Sequence, residues 1–483
     1  MGKVENMIKY GFWQSTSIFE IFIPLTLLML LLTSCMQSQE DHPIAPFELP
    51  FQFSLSGNAA APAQWWLDID DPALPTLIEH ALSDNFSLLI ARDRLREARA
   101  SARQAGARLR PALDGEARGT ARRDYQTDRT TNGLLLELAA SYEIDLWGRL
   151  AAIRDAAVLN SQATQADLFT AATSIAAEVA QTWYRIVETR LQLQLMQKQK
   201  ETNGHVLELI EVQFRAGQAG APDVLQQRQL VETNNAELAE LQRNLQLLEH
   251  GLSLLLGEIP GSYTFPEFSR LPSPPPLPDT GVVIDLLTRR PDIRSSYLLL
   301  QAEDKRVAAA VADRLPRLSI SAELYTSGSR ASDLFNNWFT NLIANLSGPI
   351  LDGGYRKAEV EKRRAKMDRQ LNEYGLTILR AIGEVEDALI QEQTEAEIVD
   401  NLGLRLKLAE QTVDHVAVRY RRGAEDYQRV LLALLSYQGL QQKIIKSRRL
   451  LINYRIGLYR ALGGNIPLET ADTGGTSDPD RNL

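Results

Sequence analysis

The residues able to do chemistry in this 483-residue chain gather in two places. The first is Cys35, the only cysteine, which follows an apolar run from Ile21 to Leu32 and then Thr33 and Ser34. The run has a basic flank in Lys3 and Lys9, and it falls short of the roughly 20 residues that a helix needs to cross a bilayer. That is the layout of a secretory signal peptide. The thiol stands just past the end of the run. The second place is a pair of turns, Phe214-Arg215-Ala216-Gly217 and Tyr420-Arg421-Arg422-Gly423. Gly217 and Gly423 permit the left-handed backbone that often ends a helix. Pro222 and Asp223 then suit the first turn of a returning helix, where proline loses no bond and a carboxylate meets the positive end of the dipole. Around the second turn, Tyr420 offers a hydroxyl, and Arg421, Arg422, Glu425 and Asp426 offer charge pairs.

Other chemistries find no footing. The histidines are His42, His80, His205, His250 and His415, and none makes a close pair with ligand spacing. Zinc sites want clustered cysteine and histidine, so no metal is expected. There is no GxSxG elbow and no GxxxxGK[ST] loop, so no catalytic site and no cofactor are expected beyond a covalent lipid on Cys35. After the signal region and Met36 the only methionines are Met196 and Met367, which give no hint of a soft-metal path. A net charge of -9 and a pI near 5.4 argue against a broad nucleic-acid surface. No segment beyond the signal reaches 18 consecutive apolar residues, so a mature chain that crosses a membrane does so as β-strands.

The elements that must position the turns are written twice. Phe214 to Gly217 recurs as Tyr420 to Gly423, Glu178-Val179 as Glu384-Val385, and Leu256-Gly257 as Leu462-Gly463, each 206 residues on. The plan is a signal peptide over 1–34, an N-terminal extension over 35–65, a first repeat over 66–256, a Pro-rich linker over 257–283, a second repeat over 284–463 and a flexible tail over 464–483. Each repeat opens with a helical stretch (Leu74 to Leu109, Val282 to Arg314) that stops before Pro111 or Pro316. Alternating strands follow. One face of the second strand carries Leu134, Leu136, Leu138, Ala140, Tyr142 and Ile144, the other Glu137, Ser141 and Glu143. Ten-residue strands with one apolar and one wet face are the signature of a transmembrane barrel. Four strands cannot close a barrel, whereas three copies of the chain supply twelve. From Leu150 to Gln213 there is no proline, which predicts a helix of roughly 95 Å at 1.5 Å per residue. Leu238, Leu241, Leu245, Leu248, Leu252 and Leu255 step by three and four, as in a coiled-coil seam.

Several motifs in order carry a resemblance. Leu32-Thr33-Ser34-Cys35 resembles the bacterial lipobox, which implies that the Cys35 thiol is lipidated and becomes the new N-terminus, and Met36 stands where an aspartate would retain many lipoproteins at the inner membrane. Trp65-Trp66-Leu67-Asp68-Ile69-Asp70-Asp71-Pro72, Asp145-Leu146-Trp147-Gly148-Arg149, Arg290-Pro291-Asp292-Ile293 and Leu458-Tyr459-Arg460-Ala461-Leu462-Gly463-Gly464 are similar to motifs of the TolC-type outer membrane factors, in their lipoprotein branch. The resemblance implies a mixed α+β membrane protein: a homotrimer whose twelve-stranded outer-membrane β-barrel, four strands per chain, continues into a long α-helical coiled-coil periplasmic tunnel. It implies a passive exit channel for drugs or small solutes. The partners are a periplasmic adaptor, an inner-membrane pump of the resistance-nodulation-division type and outer-membrane lipid. A type I protein-secretion duct is the alternative within the class, and a structural periplasmic lipoprotein lies outside it. The resemblance also places adaptor docking at Arg215, Gly217, Asp223 and Gly423, and the gate at Tyr420, Arg421, Arg422, Asp426, Arg429 and Leu432. Relatives often carry aspartate six and nine residues after the second turn glycine. Here those positions are Arg429 and Leu432, which leaves two closures open: a ring of Asp426, or an apolar constriction at Leu432.

Overall fold

The computed structural model describes residues 45–59, 62–268, 270–463 and 466. Cys35 and nearly all of the tail lie outside them. The elements run α1 (Leu74–Asp84), α2 (Phe86–Ala107), β1 (Ala112–Asp124), β2 (Arg129–Ile144), α3 (Arg149–Arg215), α4 (Ala221–Leu256), α5 (Leu286–Arg289), α6 (Pro291–Ala312), β3 (Arg317–Gly328), β4 (Trp338–Ser347), α7 (Tyr355–Arg421) and α8 (Tyr427–Leu462). The duplication is near-exact in length: α3 and α7 have 67 residues each, α4 and α8 have 36 each. At 1.5 Å per residue α3 and α7 are each about 100 Å long.

The strands form one antiparallel sheet in the order β1-β2-β3-β4. The register aligns the two faces across the whole sheet. Leu138 pairs with Gly115 and Leu324, Tyr142 with Ile320, and Leu346 with Leu318, all on one face. Glu116 pairs with Glu137, Ala139 with Glu323, and Glu323 with Asn341, all on the other. A slip of one residue would exchange these faces. The strands run beyond the alternating stretches of the sequence, because Arg122 to Asp124 and Arg129 to Thr131 pair in register despite being polar on both sides. Among the described residues the outer edges of β1 and β4 carry no partner strand, an arrangement that calls for further strands.

Each strand pair turns into a long helix at an aspartate. Asp145 accepts from the backbone N–H groups of Leu150 (3.0 Å) and Ala151 (2.7 Å). Asp352 accepts from those of Gly354 (3.0 Å) and Arg356 (3.2 Å). Gly148 and Gly354 make the corner with φ of +71° and +85°. Along its length α3 then packs against α2, α4, α6 and α8, while α7 packs against α6 and α8.

The opening helical stretches are broken where the sequence suggested continuity. Asn85 ends α1 and caps α2, its Oδ1 accepting from Ser87 N (2.8 Å) and Leu88 N (3.2 Å). Its amide also donates to the Leu255 carbonyl at the end of α4 (2.8 Å), so α2 and α4 stack end to end along α3. The second repeat breaks at Arg290, before Pro291, and Arg290 donates to the Ala461 carbonyl (2.8 Å) at the end of α8. Here α6 and α8 stack likewise. The first joint sits in a core of Trp65, Trp66, Trp183, Leu252 and Leu256, with Trp65 stacked on Tyr459 at 5.8 Å. The Pro-rich linker is held against the helices: buried Arg455 binds Glu392 (2.9 Å) and the carbonyls of Pro275 and Pro276.

Candidate functional site

The two glycine turns lie side by side at the end of the helices far from the sheet. Gly217 and Gly423 both take positive φ, +73° and +72°, closing α3 and α7. Asp223 accepts from the Gly220 N–H (2.9 Å), which caps α4. Asp426 does the same for α8, accepting from the Arg429 N–H (3.0 Å). Between the turns, Ile210, Val224 and Tyr427 are buried with Val206, Leu207, Tyr420 and Leu431 around them. Four helices therefore share one small apolar cluster at the tip.

Two tyrosines tie the second hairpin to the first. The Tyr420 hydroxyl donates to Gln213 Oε1 (2.6 Å) and the Tyr427 hydroxyl to Gln227 Oε1. Burial raises the pKa of both phenols, and the Asp223 carboxylate adds to it. Both therefore stay protonated and able to donate at neutral pH. Above them a ladder of buried amides continues the tie. Asn203 Nδ2 donates to Asn234 Oδ1 (2.7 Å), and Gln438 Nε2 donates to Asn203 Oδ1 (3.1 Å). Gln227 Nε2 donates to the Asn203 carbonyl (2.6 Å), and Gln199 Nε2 to Gln441 Oε1 (3.0 Å). Asn203 and Gln227 are fully buried. Satisfied buried networks of this kind fix which helix faces meet, because any other pairing strands a polar group.

The charged residues at the tip pair differently from the sequence pattern. Glu425 sits between Arg419 (2.9 Å) and Arg429 (3.1 Å). Arg421 and Arg422 are exposed and, among the described residues, have no ion-pair partner; Arg421 Nε reaches only the Ala417 carbonyl (3.3 Å). Arg215 is exposed in the last turn of α3. The Asp426 carboxylate is engaged in its cap, and Leu432 is 60% exposed on the opposite side of α8 from buried Leu434. Tyr427, Gln213, Gln227 and the amide ladder were not singled out from sequence. Their one signal was amides where the seams of α3, α4 and α8 ask for apolar residues.

Among the described residues no group of three His, Cys, Asp or Glu side chains is placed to hold a metal, and no helix is long and apolar enough to cross a membrane.

Comparison with known proteins fits this geometry. The family model for the outer membrane efflux protein matches residues 77–258 and 282–464, one match for each repeat. The chain is 31% identical over 442 residues to the pyoverdine export outer membrane protein OpmQ of Pseudomonas aeruginosa, covering 87% of this chain and 91% of that one. It is 28% identical to the cation efflux system protein CusC of Escherichia coli, covering 90% and 96%. The solved structure of CusC superposes with a TM-score of 0.78 at 27% identity, over 89% of this chain and 99% of that one. That of the outer-membrane channel OprN gives 0.77 at 26%, over 87% and 99%.

Proposed function

Because this chain belongs to the outer membrane efflux protein family, and so is an outer-membrane efflux channel of the tripartite kind, we propose that it conducts small solutes passively from a periplasmic adaptor and a resistance-nodulation-division pump to the cell exterior. The observation that carries this reading is the sheet. Its four strands keep one apolar and one polar face in register, with both edges open, above helices about 100 Å long. One chain is a third of a barrel wall, and three close it. Lipid meets the apolar face and solute the polar one.

The tip residues take their roles from their surroundings. Arg215, Gly217, Asp223 and Gly423 present the two turns to the adaptor. Tyr420 and Tyr427 hold the second hairpin on the first, so the lock within one chain is neutral. Arg421 and Arg422 bring positive charge to the entrance, Arg429, paired with Glu425, stands where relatives often carry aspartate, Asp426 holds the start of α8, and Leu432 offers an apolar contact to a neighbouring copy. Cys35 carries the lipid that tethers the mature N-terminus. OpmQ is named for pyoverdine and CusC for cations. Such different cargoes on one wall design support selection by the pump rather than by the duct.

Purified trimers in planar bilayers should show stepwise conductance. Expressed with adaptor and pump in a strain lacking its own exit ducts, the chain should lower ethidium accumulation. Absence of conductance would end the channel reading. Restored export of a protein substrate with no change in ethidium would instead identify a type I secretion duct.

A further inference from the structure

The helix-proximal end of the sheet carries side chains that neither the strands nor the helices use. β1 begins at Ala112, β2 ends at Ile144, β3 begins at Arg317 and β4 ends at Ser347, and the register sets these four ends side by side. Just beyond them Leu146, Trp147, Leu315, Ile350, Leu351 and Tyr355 are all exposed. Trp147 donates its indole N–H to the Pro316 carbonyl (2.7 Å), which lays the ring across the ends of β2 and β3 with half its surface open.

Interleaved with them stand Arg108, Arg110 and Arg314, all exposed and, among the described residues, without an ion-pair partner. The carboxylates at this level are already engaged. Asp313 holds Arg317, Arg356 and, more loosely, Arg149. Glu143 binds Arg149 (2.7 Å), and Asp145 and Asp352 cap helices. Among the described residues only Asp114, on the polar face of β1, is left. The duplication repeats the device: Arg314 follows Arg108 by 206 residues, one below β1 and the other below β3, roughly 10 Å apart at the usual strand spacing. A trimer sets six such arginines, and three copies of Arg110, around the barrel.

We infer that this belt binds the phosphodiester headgroups of anionic phospholipids in the periplasmic leaflet of the outer membrane. The belt is continuous with the apolar face of the barrel and lies where that face ends. Tryptophan and tyrosine favour the boundary between acyl chains and water. Guanidinium forks match phosphate oxygens, and positive charge is drawn to an anionic leaflet. Leu146, Leu315 and Ile350 fill the space between them on the acyl side.

The test compares lipids of identical acyl chains. Trimers purified in detergent are equilibrated with equal amounts of phosphatidylglycerol and phosphatidylcholine, and the lipids retained on the protein are counted. The wild type should enrich phosphatidylglycerol about five-fold or more over the bulk ratio, and excess inorganic phosphate should not displace it. R108Q/R110Q/R314Q should retain both lipids in the bulk ratio while running as an intact trimer. Equal retention by the wild type would overturn the proposal without any variant being needed. It would also fall if the triple variant kept the enrichment, or if the variant fell apart in every lipid, which would mark the arginines as subunit contacts.

Discussion

At the scale of single residues the second hairpin is tied to the first by neutral donors, Tyr420 and Tyr427, and this gives the proposed gate a specific weakness. Removing the Tyr420 hydroxyl leaves Gln213 half-buried without its partner, while the ring still packs beside Tyr427. A hydrogen bond of this kind is worth about 1 kcal/mol, which is roughly a five-fold change in the open population of each chain. Tyr420→Phe should therefore raise closed-state conductance several-fold in planar bilayers, and unchanged conductance would remove Tyr420 from the gate. Asp426→Ala acts differently, because the carboxylate is a cap. It should cost about 1 kcal/mol of local stability, with Asp426→Asn retaining most of it in hydrogen exchange of the tip. Arg455 tests the linker. Arg455→Met leaves Glu392 buried and two prolyl carbonyls unmet, a loss of about 3–5 kcal/mol. It should lower the thermal midpoint of the trimer sharply, and Arg455→Met with Glu392→Leu should recover much of it. Gly217 and Gly423 were legible in the sequence because positive φ selects glycine. Gln213 was not, since a glutamine 207 positions from its tyrosine leaves no local pattern.

At the scale of elements the informative feature is the joint where two shorter helices meet beside a long one. Gly257 has φ of +78°, and a Cβ added to it would lie 2.4 Å from the Asp84 carbonyl oxygen. Gly463 in the second repeat is close but less tight, at 3.1 Å from Arg289 O. Both glycines let a helix end approach the backbone of the next one, and neither tolerates a side chain without moving it. Gly257→Ala should therefore part α4 from α2, weaken the Asn85–Leu255 hydrogen bond and reduce the yield of heat-resistant trimer, whereas Gly251→Ala, which meets nothing within 4 Å, should leave it unchanged or higher. Equal yields from the two variants would show that the joint is dispensable. The sequence displayed both glycines as anchors of the repeat, yet it hid the break at Asn85. No proline or glycine marks that position; the break exists because Asn85 caps one helix while bonding to another. The break before Pro291 had a local cause, since a residue ahead of proline leaves the helical region, yet the single helical stretch expected from Val282 to Arg314 passes over that proline.

At the scale of the molecule the duplication explains both what was legible and what was not. Long unbroken helices, strand alternation and a 206-residue repeat are written in local patterns, so the architecture could be read early. The amide ladder depends on which faces of α3, α4 and α8 meet, and no single helix encodes that. The two sheet faces make one further prediction, and it bears on the barrel as a whole. Leu324 lies on the apolar face in register with Leu138, and its neighbour Glu323 lies on the polar face opposite Asn341. In a closed barrel of three chains these adjacent positions look in opposite directions. Leu324→Arg places a charge against lipid at three symmetry-related points, each costing about 2–4 kcal/mol near mid-bilayer, so it should abolish the heat-modifiable trimer in outer-membrane fractions. Glu323→Gln changes a lumen side chain that is already in water, so the trimer should assemble normally and only its ion selectivity should shift, away from cations, in reversal-potential measurements. If the two variants assembled alike, the assignment of faces would be wrong, and with it the conclusion that one chain is a third of a barrel.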